Sequence, residues 1–309
     1  MKYVFGPVPS RRLGMSLGVD LIPYKTCSYD CIYCELGKTT HKTIVRKEYV
    51  SKDLILEQLE DYLPLLDSPP DYITLSGSGE PTLNSTIGEI IAEIKRITAT
   101  PLAVITNSSL LFLDQVREAL LEADIVLPSL DAVSPLAFKH INRPDPSLDI
   151  NDIIKGLIDF GKEFSGQLWL EILLCRVIND DHAEVERIRE KIEDIKPDKV
   201  QLNTVVRPSS EDFAYPLNGE QLTSIKEMLG AKAEVIADIT PSERGTHFVD
   251  NEEKILNLIA RRPCTCDDIC KALELHTNET LKYLDKLNRE GRIHYKLHHR
   301  CVYYQIMNI

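Results

Sequence analysis

Cys27, Cys31 and Cys34 stand in the segment CSYDCIYC, at offsets of four and then three residues. Three thiolates on one short loop can each bind one iron of a [4Fe-4S] cubane. Such a cluster ordinarily takes four thiolates, so the fourth iron is left to a ligand that is not protein. The same residues could instead hold zinc or lie buried as small apolar side chains. Disulfides are disfavoured by the expected compartment. The N-terminus MKYVFGPVPSRRLG lacks the apolar run of a signal peptide, and no stretch approaches the roughly 18 apolar residues of a spanning helix. A cytoplasmic protein with reduced thiols and no membrane contact is therefore expected, and close cysteine spacing there points to metal. Cys264, Cys266, Cys270 and Cys301 raise the question of a second metal site, although they contain no close Cys-x-x-Cys pair and Cys266 and Cys270 fall at positions typical of a helix core.

Polar residues recur where apolar runs end. GSGEPTL carries Ser78, Gly79 and Glu80; glycine lets a backbone approach a ligand and a carboxylate suits a cationic amine, while a plain tight turn explains the same residues. ITNSS carries Thr106, Asn107 and Ser108, and SLDA carries Ser129 and Asp131. At strand ends such groups either hold a ligand or cap the next helix. Glu171 and Arg176 sit in the apolar run WLEILLCR, where buried charges need partners or ligands. Gln201 and Asn203 lead to Arg207, and Arg11 with Arg12 precede the cysteine loop; these three arginines are the candidates to meet an anionic substrate.

The elements that must position these residues alternate. Buried-strand patterns cover 16–22, 71–79, 102–109, 124–132, 167–178 and 198–206, with amphipathic helical patterns between them. Six such units predict an α/β fold, a partial (β/α)6 barrel of the TIM type left open, with functional residues at the C-terminal strand ends. After SERGTHF the pattern changes. Three short helices, EEKILNLIA, DDICKAL and NETLKYLDKLNREG, are followed by strands RIHYKL and CVYYQI joined through LHHR, which predicts a winged helix. The expected domains are 1–248 and 249–309.

With these motifs in view, the chain resembles the radical S-adenosylmethionine (radical SAM) superfamily, whose signature is the CxxxCxxC spacing with an aromatic residue, here Tyr33, before the last cysteine. The resemblance implies that the open iron is chelated by the amino and carboxylate groups of S-adenosylmethionine, which is then cleaved reductively to methionine and a 5′-deoxyadenosyl radical. It implies that Ser78, Gly79 and Glu80 stand where the family has Gly-Gly-Glu, meeting the methionyl ammonium, with Ser78 as a departure. Thr106, Asn107, Ser129 and Asp131 resemble rim positions for ribose or substrate, and Glu171 and Arg176 a fifth-strand pair in which Arg176 meets the methionyl carboxylate. From Phe5 through Gly37 the chain is similar to a group often labelled wyosine-synthase-like. A flavodoxin- or ferredoxin-type electron donor is implied.

The expected function is hydrogen abstraction from a substrate, in RNA (tRNA) base modification or cofactor biosynthesis. Two other readings are an iron-sulfur redox-sensing regulator that binds nucleic acid and a radical methylase or methylthiolase. A net charge of −12 opposes general attraction to nucleic acid, so RNA or DNA would have to meet a local patch. The stretch RIHYKLHHR, with Arg292, Lys296 and Arg300, is such a patch; a protein-docking role for the same module is the competing expectation.

Overall fold

The computed structural model describes residues 3–236, 251–273, 275, 277–299 and 301–307, without the side chains of 278, 279, 282 and 285. The expected boundary segment SERGTHF and the wing residue Arg300 lie outside the described residues.

A hairpin opens the fold. Strand β1 (Val4–Ser10) runs antiparallel to β2 (Gly14–Val19). Two-residue strands β3 (Thr26–Cys27) and β4 (His41–Lys42) then bracket the cysteine loop. After helix α1 (Lys52–Tyr62) the main strands follow: β5 (Tyr72–Leu75), β6 (Leu102–Thr106), β7 (Ile125–Pro128), β8 (Gln167–Leu174), β9 (Lys199–Thr204) and β10 (Ala233–Val235). Between them lie α2 (Ile87–Ile97), α3 (Asp114–Leu120), α4 (Pro135–Ile141), α5 (Ile150–Glu163), α6 (His182–Ile195) and α7 (Gly219–Leu229). The sheet order is β1-β2-β5-β6-β7-β8-β9-β10, parallel from β2 onward, with β1 and β10 at its edges among the described residues. This is the open α/β arrangement expected, with β10 extending the six units.

Its strands are buried on both faces, as parallel strands under crossover helices must be. The helices pack on one face through stripes such as Ile87, Ile90, Ile91 and Ile94 of α2, all fully buried. The opposite face carries a separate apolar cluster of Ala103, Ile125, Leu127 and Trp169, and Leu13, from the β1–β2 turn, packs into it. That turn therefore folds across the inner face of the sheet, and this placement governs the site below.

Strand β1 and helix α4 were not anticipated. Pro7 and Pro9 argue against a strand because proline cannot donate to a ladder, but β1 is an edge, and its register shifts between Phe5 and Val8.

The C-terminal residues form α8 (Asn251–Arg261), the short strand β11 (Cys264–Thr265), α9 (Cys266–Leu273), α10 (Thr277–Arg289), β12 (Ile293–His298) and β13 (Cys301–Ile306). They have their own small core around Ile255, Ile269, Leu287 and Ile293, and a three-stranded sheet in the order β11-β13-β12. Val8 of β1 packs against that core, Arg262 donates to the Pro9 carbonyl at 3.3 Å, Lys296 pairs with Asp212 at 2.8 Å, and the Tyr303 hydroxyl donates to the Val206 carbonyl at 2.8 Å. The β12–β13 hairpin thus lies against the 206–212 loop. Among the described residues, no helix is long and apolar enough to cross a membrane.

Candidate functional site

The cysteine loop is held by its own backbone and by two anchors. Cys27 leaves the β3–β4 ladder; the Cys34 amide donates to the Cys31 carbonyl at 3.2 Å, and the Gly37 amide to that of Cys34 at 3.1 Å. Ile32, fully buried, donates its amide to the Ile141 carbonyl, and the buried Tyr29 packs edge-on against Phe138 with ring centroids 5.5 Å apart. The three thiols are free and half-buried.

Each sulfur receives a side-chain N–H donor: Asn107 Nδ2 to Cys27 at 3.5 Å, Asn142 Nδ2 to Cys31 at 3.5 Å, and Lys25 Nζ to Cys34 at 3.1 Å; the Tyr29 backbone also donates to Cys27. Burial, reinforced by the neighbouring carboxylate of Glu80, pushes the Cys27 thiol up to about 12, and burial with the charge of Cys27 pushes Cys31 well above its ordinary value. Thiolates in such a place need positive charge beside them, which iron supplies. Among the described residues no three His, Cys, Asp or Glu side chains converge on a point that one metal ion could occupy. Three thiolates from one loop, each with its own N–H donor, suit a cubane in which each thiolate binds a different iron. The C-terminal cysteines do not gather either: Cys266 and Cys270 lie 4.0 Å apart, Cys264 is buried, and Cys301 is exposed.

Beside the loop, a cavity of about 380 Å3 opens at the C-terminal strand ends. It gathers Tyr33, Cys34, Gly79, Ser129, Asp131, Glu171, Arg11, Arg12 and Arg207. Asp131 is its most tightly connected member. It accepts from the Leu173 amide at 2.9 Å, from Tyr33 Oη at 2.5 Å and from Asn142 Nδ2 at 2.7 Å. Burial nonetheless pushes it up to about 6, against those three donors. Asp131 thus ties the strand ends to the cysteine loop. Gly79 lies so close to β3 that a Cβ on it would meet the Thr26 carbonyl oxygen at 1.9 Å.

Several expected residues take other roles. Glu80 is 1% exposed and already bound by Thr82 N, Thr82 Oγ1, Thr106 Oγ1 and Asn107 N, at 2.5 to 3.0 Å. It caps the short turn Pro81–Leu83 and holds the end of β6 through the Thr106 hydroxyl and the Asn107 backbone amide, and neither residue lines the cavity, although the Asn107 side chain reaches Cys27. Ser78 is buried on Asp20, which accepts both its amide and its hydroxyl, and Arg261 of α8 reaches the same pair. Arg176 is a correction. It lies beyond the end of β8, exposed, with its guanidinium over the Tyr215 ring at 5.4 Å and outside the cavity. The β1–β2 turn carries Arg11 and Arg12 across the inner face of the sheet and into the cavity wall, where Arg12 pairs with Glu171 and Arg11 donates to Asn203 at 3.0 Å. Arg207 is 4% exposed and meets Glu35 at 3.4 Å.

Lys25, Asn142, Asp20, Glu35 and Arg261 were missed. Lys25 and Glu35 flank the motif and had a local signal, since charges beside metal-binding cysteines often serve them. Asn142 and Arg261 reach the site from distant helices and had none.

Residues 21–188, more than half of the chain, match the model of the radical SAM superfamily. A protein of Brachyspira hyodysenteriae called GTPase Obg is 40% identical over 94% of the chain, which spans only 43% of that longer protein. A UPF0026 protein of Methanocaldococcus jannaschii is 35% identical, with 95% of this chain and 92% of that one covered, and one of Helicobacter pylori strain 26695 is 35% identical over 94% and 93%. In fold, the chain is similar to a radical SAM methyltransferase of Sphaerobacter thermophilus (TM-score 0.58, 17% identity, 72% of this chain and 66% of that one) and to a spore photoproduct lyase variant (TM-score 0.51, 12% identity, 74% and 78%). The chain belongs to the radical SAM superfamily of enzymes, which work with a [4Fe-4S] cluster and S-adenosylmethionine, and within it to the UPF0026 proteins.

Proposed function

We propose that this protein takes a hydrogen atom from a substrate seated in the cavity beside the cysteine loop. When bound and reduced by a flavodoxin- or ferredoxin-type protein, the cluster and S-adenosylmethionine supply reductive sulfonium cleavage and the 5′-deoxyadenosyl radical. The chain's own residues do the rest. Cys27, Cys31 and Cys34 hold the cluster at three corners, and Asn107, Asn142 and Lys25 direct N–H groups at their sulfurs, which stabilises the more negative, reduced state. The Gly79 backbone, Ser129 and Asp131 offer acceptors on the cavity wall for the ammonium and ribose hydroxyls of the cofactor. Leu13, Ile105 and Leu173 are among the apolar side chains of that wall, which keep water from a reactive radical.

The observation that carries this reading is that the loop bearing three N–H-bonded cysteines shares one cavity with Gly79, Ser129 and Asp131. We also read residues 249–309 as a winged-helix module apart from the barrel at 1–248. Lys296 on its hairpin is paired with Asp212 of the barrel, which favours docking over nucleic-acid contact for that face. Anaerobically reconstituted protein given dithionite and S-adenosylmethionine is expected to release 5′-deoxyadenosine. Release no greater than that of Cys31→Ala refutes the proposal.

A further inference from the structure

Five guanidinium groups, those of Arg11, Arg12, Arg207, Arg261 and Arg262, line the cavity of a chain whose net charge is −12. Two are neutralised in place, Arg12 by Glu171 and Arg261 by Asp20. The other three share one lining carboxylate, Glu35, at 3.4 Å from Arg207 and 3.7 Å from Arg11. Among the described residues, the other hydrogen bonds of Arg11 and Arg262 go to neutral groups, the Asn203 amide oxygen and the Pro9 carbonyl, and Glu171, already paired with Arg12, is also within electrostatic reach of Arg11. Asp268, which accepts the Thr265 amide, adds negative charge within electrostatic reach of Arg207 but makes no ion pair with it among the described residues. Asp131, the other acid of the wall, is bound by Tyr33, Asn142 and the Leu173 amide and by no arginine. Arg207 is 4% exposed, and its Nε has no hydrogen-bond partner among the described residues.

Burying like charges together is costly unless an opposite charge joins them, so this corner is incomplete without an anion. Guanidinium forks match oxyanions in pairs, which suits a phosphoryl or carboxylate group. The anion need not be that of the cofactor. Arg11, Arg207 and Arg262 all lie outside residues 21–188, the part of the chain that matches the superfamily. Arg262 comes from the C-terminal segment, so the corner exists only where that segment docks on β1.

We infer that Arg11, Arg207 and Arg262 form a composite site, shared by the barrel and the C-terminal segment, for a compact oxyanion group of the substrate. This deepens the proposed reaction by naming the charge class of its substrate, and it is tested by binding, independently of turnover. Cluster-reconstituted full-length protein, saturated with S-adenosylmethionine, is titrated calorimetrically with inorganic phosphate and, separately, with malonate. At least one probe is expected to bind, and the stronger of the two identifies the group as phosphoryl or carboxylate. Arg207→Gln and Arg262→Gln should each weaken that binding about tenfold or more, since each removes a charge-assisted hydrogen bond. Arg262→Lys should recover part of it, and affinity for S-adenosylmethionine should not change. Should Arg207→Gln fail to fold, the Arg262 pair decides. Three results overturn the inference: neither probe binds, the variants bind as tightly as the wild type, or a probe binds the reconstituted protein only when S-adenosylmethionine is left out, which would assign the arginines to the cofactor's own carboxylate. If 5′-deoxyadenosine forms while no probe binds, the reaction stands and only the substrate class is wrong.

Discussion

Arg261 in α8 is ion-paired with Asp20, which stands one residue beyond the end of β2 and is 2% exposed. The same guanidinium lies over the Phe5 ring, 4.2 Å from its centroid, and donates to Ser78 Oγ at 3.1 Å. Ser78 is the position at which the chain departs from Gly-Gly-Glu, and its hydroxyl is used to tie the C-terminal segment to the strand edge beside the cavity.

Replacing Arg261 by Met should therefore destabilise the protein by about 3 kcal/mol, because it leaves a buried carboxylate unpaired. Burial already holds the Asp20 carboxyl above its ordinary value, against the pull of Arg261 and Ser78. A carboxyl raised in the folded state favours folding most at pH below its unfolded value, about 3.9, and loses that contribution as pH rises through the folded value. Arg261→Met should raise the folded value further. Urea unfolding at several pH values should then show a gap from wild type that widens as pH rises from 4 to 7.

Glu184 has the opposite sign. Its carboxylate, 1% exposed, accepts the amides of Val133 at 2.6 Å and Ser134 at 2.8 Å and so clamps the loop after Asp131 to α6. Burial alone would raise its carboxyl, but those amides, the Ser134 hydroxyl and Arg187 outweigh burial and hold it below the ordinary carboxylate range. Glu184→Gln keeps an acceptor and removes the charge, and is expected to cost about 1 kcal/mol at neutral pH. The contribution is complete above the unfolded value near 4.3 and is lost as pH falls through the lower folded value, so mutant and wild type should converge in acid.

Gly79→Ala would place a methyl group 1.9 Å from the Thr26 carbonyl oxygen. Either β3 moves, carrying Cys27 with it, or the strand edge does. A loss of about 1 to 3 kcal/mol is expected, with iron content after reconstitution below the roughly four atoms per chain of the wild type. Full iron content with an unchanged melting temperature would show that β3 yields freely.

Asn142→Leu removes the N–H donor to Cys31 and one of the three donors to Asp131 at similar side-chain volume. Iron content should be retained, while the reduction potential of the cluster becomes more negative, because a hydrogen bond to sulfur stabilises the reduced state. A spectroelectrochemical titration reads this directly, and Asn142→Asp, which adds charge instead of a donor, should shift the potential further in the same direction.

Much of this protein is determined by residues that are near one another in the chain. The spacing of Cys27, Cys31 and Cys34, the stripe of Ile87, Ile90, Ile91 and Ile94, and the apolar runs of the parallel strands are local patterns, and local patterns select helix, strand and ligand loop without reference to the rest of the chain. The tertiary structure decided what each charged side chain would meet. The β1–β2 turn folds inward, so Arg12 pairs with Glu171, 159 residues away. Glu80 looked free to bind an amine, yet four donors from its own turn and the end of β6 occupy it. Arg176, one residue past the core position Cys175, turns outward onto Tyr215. The energy of a buried charge depends on partners brought in by chain closure, and the identity of those partners is a property of the assembled sheet and not of any segment of the sequence.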